Sequence, residues 1–207
     1  MIIDIYGMPG SGKSYYSKTL IKEKQNKFFN LIELERYTLL GKVIRRVISF
    51  FVLILIKLKL VTKIIDPSLK YHSAKYNVGR HIDFYETRIW MLILIYNNIP
   101  KKINLVVDEG IWHVVATLIV EYGISDAHAK KIISMIQKKL KTNVEIESVY
   151  QYISVDLAKE SIRKRDRKVA AIDFLSGDNL TIFLNKYLDA CDLIFSLNHN
   201  HKLKIRK

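Results

Sequence analysis

Ile2-Ile3-Asp4-Ile5-Tyr6, running directly into Gly7-Met8-Pro9-Gly10-Ser11-Gly12-Lys13-Ser14, opens the chain, and no other segment constrains its architecture as tightly. The first five residues are a short β-rich apolar run, and Lys13 to Lys24 has a helical pattern, so the glycine-bearing loop sits between a strand and a helix. The eight residues from Gly7 to Ser14 match Gly-x-x-x-x-Gly-Lys-Ser/Thr in full. From average residue usage such a match arises by accident in about one chain per hundred of this length, and the correct flanking elements make it rarer. The physics is specific. Glycines let the backbone wrap a phosphate without Cβ clashes, so that successive N–H groups and the following helix N-terminus face negative charge. Gly7, Met8, Pro9, Gly10, Ser11, Gly12, Lys13 and Ser14 are therefore the expected cradle for a nucleoside triphosphate, ATP with magnesium. Lys13 is expected to reach the β- and γ-phosphates and the Ser14 hydroxyl to bind Mg2+.

Downstream, Phe28 to Ile32 is read as a second strand, followed by the acidic pair Glu33 and Glu35. Arg36 to about Ile65 is strongly apolar and helical, and Asp66-Pro67-Ser68 interrupts it. Asp83 to Asn98 is a further helix stopped by Pro100. Ile103 to Val107 is an apolar strand ended by Asp108, Glu109 and Gly110, and helices follow over Ile111 to Glu121 and Ser125 to Lys141. Ser148 to Val155 is read as a strand, Asp156 to Arg167 as a basic helix, Leu180 to Ala190 as a helix and Leu193 to Leu197 as the last strand. Strands alternating with helices imply an α/β fold: a five-stranded parallel sheet covered on both faces in three layers. A length of 207 residues suits one such domain, residues 1–207, with a helical insert at about 36–100.

The net charge of +14 calls for an anionic partner, which nucleic acid, anionic lipid and phosphorylated small molecules all satisfy. Cys191 is the one cysteine and has no internal partner for a disulfide, and no signal peptide is read at the start. A cytoplasmic location is the expectation, with the inner face of a membrane as a second site. No histidine has a metal-ligand spacing with another His, Cys or carboxylate.

Three segments together resemble the P-loop small-molecule kinases, the group that includes nucleoside monophosphate, thymidylate and deoxynucleoside kinases. They are residues 7–14, Val-Val-Asp-Glu-Gly at 106–110, and Val-Asp at 155–156 leading into Ser-Ile-Arg-Lys-Arg-Asp-Arg at 161–167. The resemblance implies transfer of the γ-phosphoryl of ATP to a small acceptor, a nucleoside, nucleotide or sugar. It makes Asp108, at a strand end, the carboxylate associated with Mg2+, with Glu109 beside it on the substrate side. It places an arginine-bearing lid at about 157–178, with Arg163 and Arg167 as catalytic cations and Arg165 against the cofactor. It also puts an acidic residue near the end of the second strand, where Glu33 and Glu35 lie, and lets Arg80 and Arg88 pair with an anionic acceptor.

Two other classes fit less well. A GTP-dependent switch needs Asn-Lys-x-Asp after a strand, and the nearest string, Asn185-Lys186-Tyr187-Leu188-Asp189, has one residue too many within a helical pattern. A nucleic-acid-associated ATPase would suit the charge, but no interleaving of arginines and aromatics supports it, so nucleic acid is not the expected partner. Val47 to Ile56 has only Ser49 as a polar interruption and is too short to cross a bilayer. It is read either as a buried helix or homodimer contact, or as an interfacial helix at an anionic membrane surface serving a glycan or lipid-linked acceptor.

Overall fold

The computed structural model describes residues 1–24, 27–58, 63–65, 82–141, 143–165, 171–198 and 201–206. Strand β1 (Ile2–Tyr6) is followed by α1 (Lys13–Glu23), β2 (Phe28–Asn30), α2 (Leu31–Tyr37), α3 (Leu39–Lys57) and α4 (Ile82–Asn98). Then come β3 (Asn104–Val107), α5 (Ile111–Tyr122), α6 (Asp126–Lys139), β4 (Ile146–Tyr152), α7 (Val155–Arg163), α8 (Gly177–Leu197) and β5 (His201–Arg206). All strand pairs are parallel, in the order β2-β3-β1-β4-β5.

The central strand is buried along its whole length because both its edges and both its faces are covered. Alternation sorts its side chains between two layers. Ile3 and Ile5 join Phe28, Val106 and Val149 under Tyr16, Leu20 and Ile21 of α1. Ile2 and Tyr6 face the larger core built with α4, α5, α6 and α8. Asp4 lies on that second face, fully buried. Helix α5 supplies the middle of this layer and buries Ile111, Trp112, Val115, Ala116 and Leu118, with Trp112 Nε1 donating to Ser148 Oγ of β4 at 3.1 Å.

Several boundaries differ from the sequence reading, each for a local reason. The long helix expected from Arg36 to Ile65 is two helices, because Thr38 leaves helical geometry and caps α3 by accepting from Gly41 N at 2.9 Å. Strand β2 stops at Asn30, whose side chain accepts from Ile32 N and Glu33 N at 3.0 and 3.2 Å. Glu33 and Glu35 are therefore on α2, not at a strand end. Strand β4 spans Ile146–Tyr152 instead of reaching Val155, because Ser154 caps α7 by accepting from Leu157 N. The strand expected at Leu193 to Leu197 is the end of α8. Leu180, Leu184, Tyr187, Cys191 and Ile194 are buried at spacings of three and four, so the helical period runs through that β-rich stretch. The fifth strand is His201–Arg206, in the basic tail, pairing with β4 from the sheet edge.

Candidate phosphate-binding site

The loop from Gly7 to Gly12 leaves the carboxyl end of β1 and enters α1 at Lys13. Parallel sheets bind ligands at this edge, outside the carboxyl ends of the strands. The first turn of α1 has no acidic residue to neutralise its N-terminal dipole. Met8 and Ser11 are buried inside the loop, which Ser11 N closes by donating to Met8 O at 3.2 Å. Gly10 has φ +90, and a Cβ there would come within 2.9 Å of the Ala158 carbonyl, so the loop lies directly against α7.

The Lys13 ammonium donates to Gly7 O at 2.9 Å and to Met8 O at 3.1 Å, which holds it folded back over the loop. Burial lowers its pKa from 10.5 to about 8, against which the nearby Cys191, Glu109 and Asp108 push it up and Arg165 pushes it down. The phosphate-loop lysine, the acids after β3 and an arginine after α7 share one electrostatic environment at one end of the sheet.

Register brings the second acid cluster close. Asp4 pairs with Val107 across the β1–β3 ladder, so Asp108 follows one residue beyond, and it is buried at 6% exposure. Asp4 Oδ2 accepts from Ile111 N at 2.9 Å and from the Tyr96 hydroxyl at 2.9 Å, tying the start of α5 to the central strand. A Cβ on Gly110 would lie 2.0 Å from Asp4 Oδ1, so this corner closes only over a glycine. Burial is the largest influence on Asp4 and raises its pKa from 3.8 to about 7, although the bonds from Tyr96, Ile111 and Trp112 work the other way.

The sign of the resulting pH effect follows from that rise. The folded chain holds the Asp4 proton more tightly than the unfolded chain, so this contribution to stability is complete below about pH 4 and is lost as pH climbs to about 7. The span converts to about 4 kcal/mol. Asp4→Asn keeps an acceptor for Tyr96 and Ile111 but does not titrate. Its urea-unfolding free energy is expected to fall less between pH 5 and pH 8 than that of the parent chain, and parallel profiles for the two proteins would refute the assignment.

Among the arginines, Arg163 is exposed on the last turn of α7, and Arg165 just beyond it pairs with Asp173 at 3.8 Å. Arg167 and Arg80 lie outside the described residues. On the other side of the sheet Glu33 is partly exposed and 3.7 Å from Lys18. Glu35 and Arg88 form a nearly buried ion pair at 2.9 Å between α2 and α4, so each neutralises the other. Asn30 Nδ2 donates to Ser17 Oγ at 3.4 Å, and Ser17 donates to Ser14 O at 3.1 Å, connecting the β2 end to the phosphate loop. Asn185 to Asp189 lies in the middle of α8, where Tyr187 is buried and shares a hydrogen bond of 2.7 Å with Thr117.

Reading the sequence for motifs missed Asp4, Tyr96 and Asn30. Asp4 did carry a signal, a carboxylate in the middle of an apolar strand, where an acid is costly unless hydrogen-bonded. Tyr96 carried none, since it lies 92 residues away from Asp4.

Ser14 is exposed in the first turn of α1 and Asp108 is buried just beyond β3, so a hydroxyl and a carboxylate both lie at the carboxyl edge of the sheet. This donor set suits a hard cation held mainly through phosphate oxygens. Among the described residues no group of three or more His, Cys, Asp or Glu forms a ready-made metal cage.

The fold and loop define a phosphate-loop α/β protein. Its fold is similar to that of the deoxyadenosine kinase from M. mycoides. The structure of that enzyme with bound dATP shares 15% identity, covers 100% of this chain and 91% of its own, and superimposes with a TM-score of 0.53. The form with bound dCTP gives 14% identity, coverage of 100% and 90%, and a TM-score of 0.52. The form with products dCMP and a flexible dCDP gives 13%, 99% and 89%, and 0.52. No family model matches the sequence, and no curated protein matches it.

Proposed function

We propose that this protein is a kinase that transfers the γ-phosphoryl group of ATP to a small acceptor, with a nucleoside or deoxynucleoside as the first acceptor to test. The observation that supports it most strongly is that Lys13, beyond β1, shares its electrostatic surroundings with Asp108 and Glu109 after β3 and with Arg165 after α7. The likeness in fold to deoxyadenosine kinases over the whole chain supports the choice of acceptor class.

In this reading the loop amides of Gly7 to Gly12 grip the phosphates and the Lys13 ammonium leaves the Gly7 and Met8 carbonyls for the β- and γ-phosphate oxygens. Contact with phosphate favours its charged form, which burial alone disfavours. Ser14 and Asp108 would hold magnesium, which supplies charge neutralisation to the phosphates when bound. Arg163 and Arg165 stand at the end of α7, the helix that meets the loop at Ala158, where closing over the phosphoryl group would exclude water and supply planar, multi-donor charge. Glu109, beside Asp108, would orient the acceptor hydroxyl. The Glu35–Arg88 pair shapes the acceptor side, with each charge held in place by the other.

Transfer of labelled phosphate from magnesium-ATP to panels of deoxynucleosides, nucleosides, nucleotides and sugars tests this. Asp108→Asn is expected to reduce the rate on the best acceptor by roughly a hundredfold or more, with far less effect on stability. Absence of transfer to every panel, or full activity in Asp108→Asn, overturns the proposal.

A further inference from the structure

Helix α3 presents two apolar faces. Ile48, Val52 and Ile56, four residues apart, pack toward α4, where Ser49 Oγ approaches Met91 Sδ at 3.6 Å. On the opposite side Leu40, Ile44, Val47 and Phe51 follow one another at spacings of four, three and four, and Val43 and Phe50 widen the stripe. These are exposed, Val47 at 61%, Phe50 at 67% and Phe51 at 56%. Helical geometry puts Lys42 and Arg46 along one border of the stripe, and both are exposed, as is Arg45. From Arg36 to Ile65 the sequence has seven basic residues and not one acid.

We propose that this face of α3 docks the protein on an anionic lipid surface, lying in the headgroup region with Val47, Phe50 and Phe51 inserted and Lys42 and Arg46 among the headgroups. Charge selects this occupant over a second copy of the chain. A two-fold contact through α3 would bring the basic borders of two helices together with no carboxylate on either, whereas anionic headgroups satisfy the cations while the acyl region takes the apolar stripe. Among the described residues no helix is long and apolar enough to cross a membrane, so the helix rests on the surface. The phosphate-loop residues are not part of this face.

Flotation of the full chain with phosphatidylcholine–phosphatidylglycerol vesicles, and with phosphatidylcholine alone, tests the proposal. The parent protein is expected to float with the anionic vesicles only. Val47→Gln/Phe50→Gln keeps the net charge unchanged and is expected to lower partitioning about tenfold or more, with an unaltered melting temperature. Phe51→Gln alone is expected to lower it several-fold. Equal flotation of parent and variants, which net charge alone would produce, overturns the proposal. So does flotation of none of them, or equal binding to neutral vesicles. A dimer that the double substitution dissociates, without lipid binding by the parent, assigns the face to a second copy instead.

Discussion

Replacing Lys13 with alanine is expected to lower kcat/KM for phosphoryl transfer by roughly a thousandfold, about 4 kcal/mol of transition-state stabilisation. The ammonium is partly buried, is held by two loop carbonyls and has no other cation in the loop to substitute for it. The charge spread over a transferring phosphoryl group grows toward the transition state, so a cation fixed beside it counts more in catalysis than in binding. Lys13→Arg is not expected to rescue the loss, because a guanidinium presents its donors in a fixed planar fork and not as a compact point charge. Steady-state kinetics with magnesium-ATP and calorimetric ATP binding measured side by side give the check. A variant that keeps its rate but loses affinity would assign Lys13 to ground-state binding only.

Gly110→Ala is expected to be strongly destabilising. Its Cβ would sit 2.0 Å from Oδ1, 2.3 Å from Cγ and 2.6 Å from Oδ2 of Asp4, a carboxylate already fully buried and bonded to α4 and α5. Neither side can retreat. Gly110 begins α5, and Asp4 is fixed in the central strand. Overpacking of this kind costs about 3 kcal/mol, a drop of roughly 6 to 12 °C in melting temperature for a chain of this size. Because the clash is with one side chain, Asp4→Ala/Gly110→Ala is expected to be less destabilised than the sum of the two single changes by about 1 kcal/mol or more. Additive losses in a thermal-melt cycle would show that the methyl group disturbs something other than Asp4.

These two predictions separate what a motif reveals from what packing reveals. The importance of Lys13 is legible in residues 7–14, since the loop's chemistry is local: glycines, one ammonium and a helix start within eight residues. Asp108 was legible too, as an acid closing an apolar run. The Asp4, Tyr96 and Gly110 corner was not, because it joins β1, α4 and the start of α5 across more than a hundred positions of chain. The pairing of Glu35 with Arg88 was hidden for the same reason, and so the two residues, read separately as acceptor ligands, turn out to hold each other.

The sequence by itself determined the phosphate loop, the alternation of strands and helices, and the excess of basic charge, because each depends on neighbours along the chain. The order of the strands, the displacement of the last strand into the basic tail, the burial of Asp4 and the exposure of one apolar side of α3 were decided only in three dimensions. Short-range propensity reads Leu193 to Leu197 as a strand and leaves Val47 to Ile56 open between a buried or dimer-contact helix and an interfacial one. It carries no information on which surfaces of the finished fold remain available to bury them, and that supply of partners, not local preference, fixes where apolar residues end up.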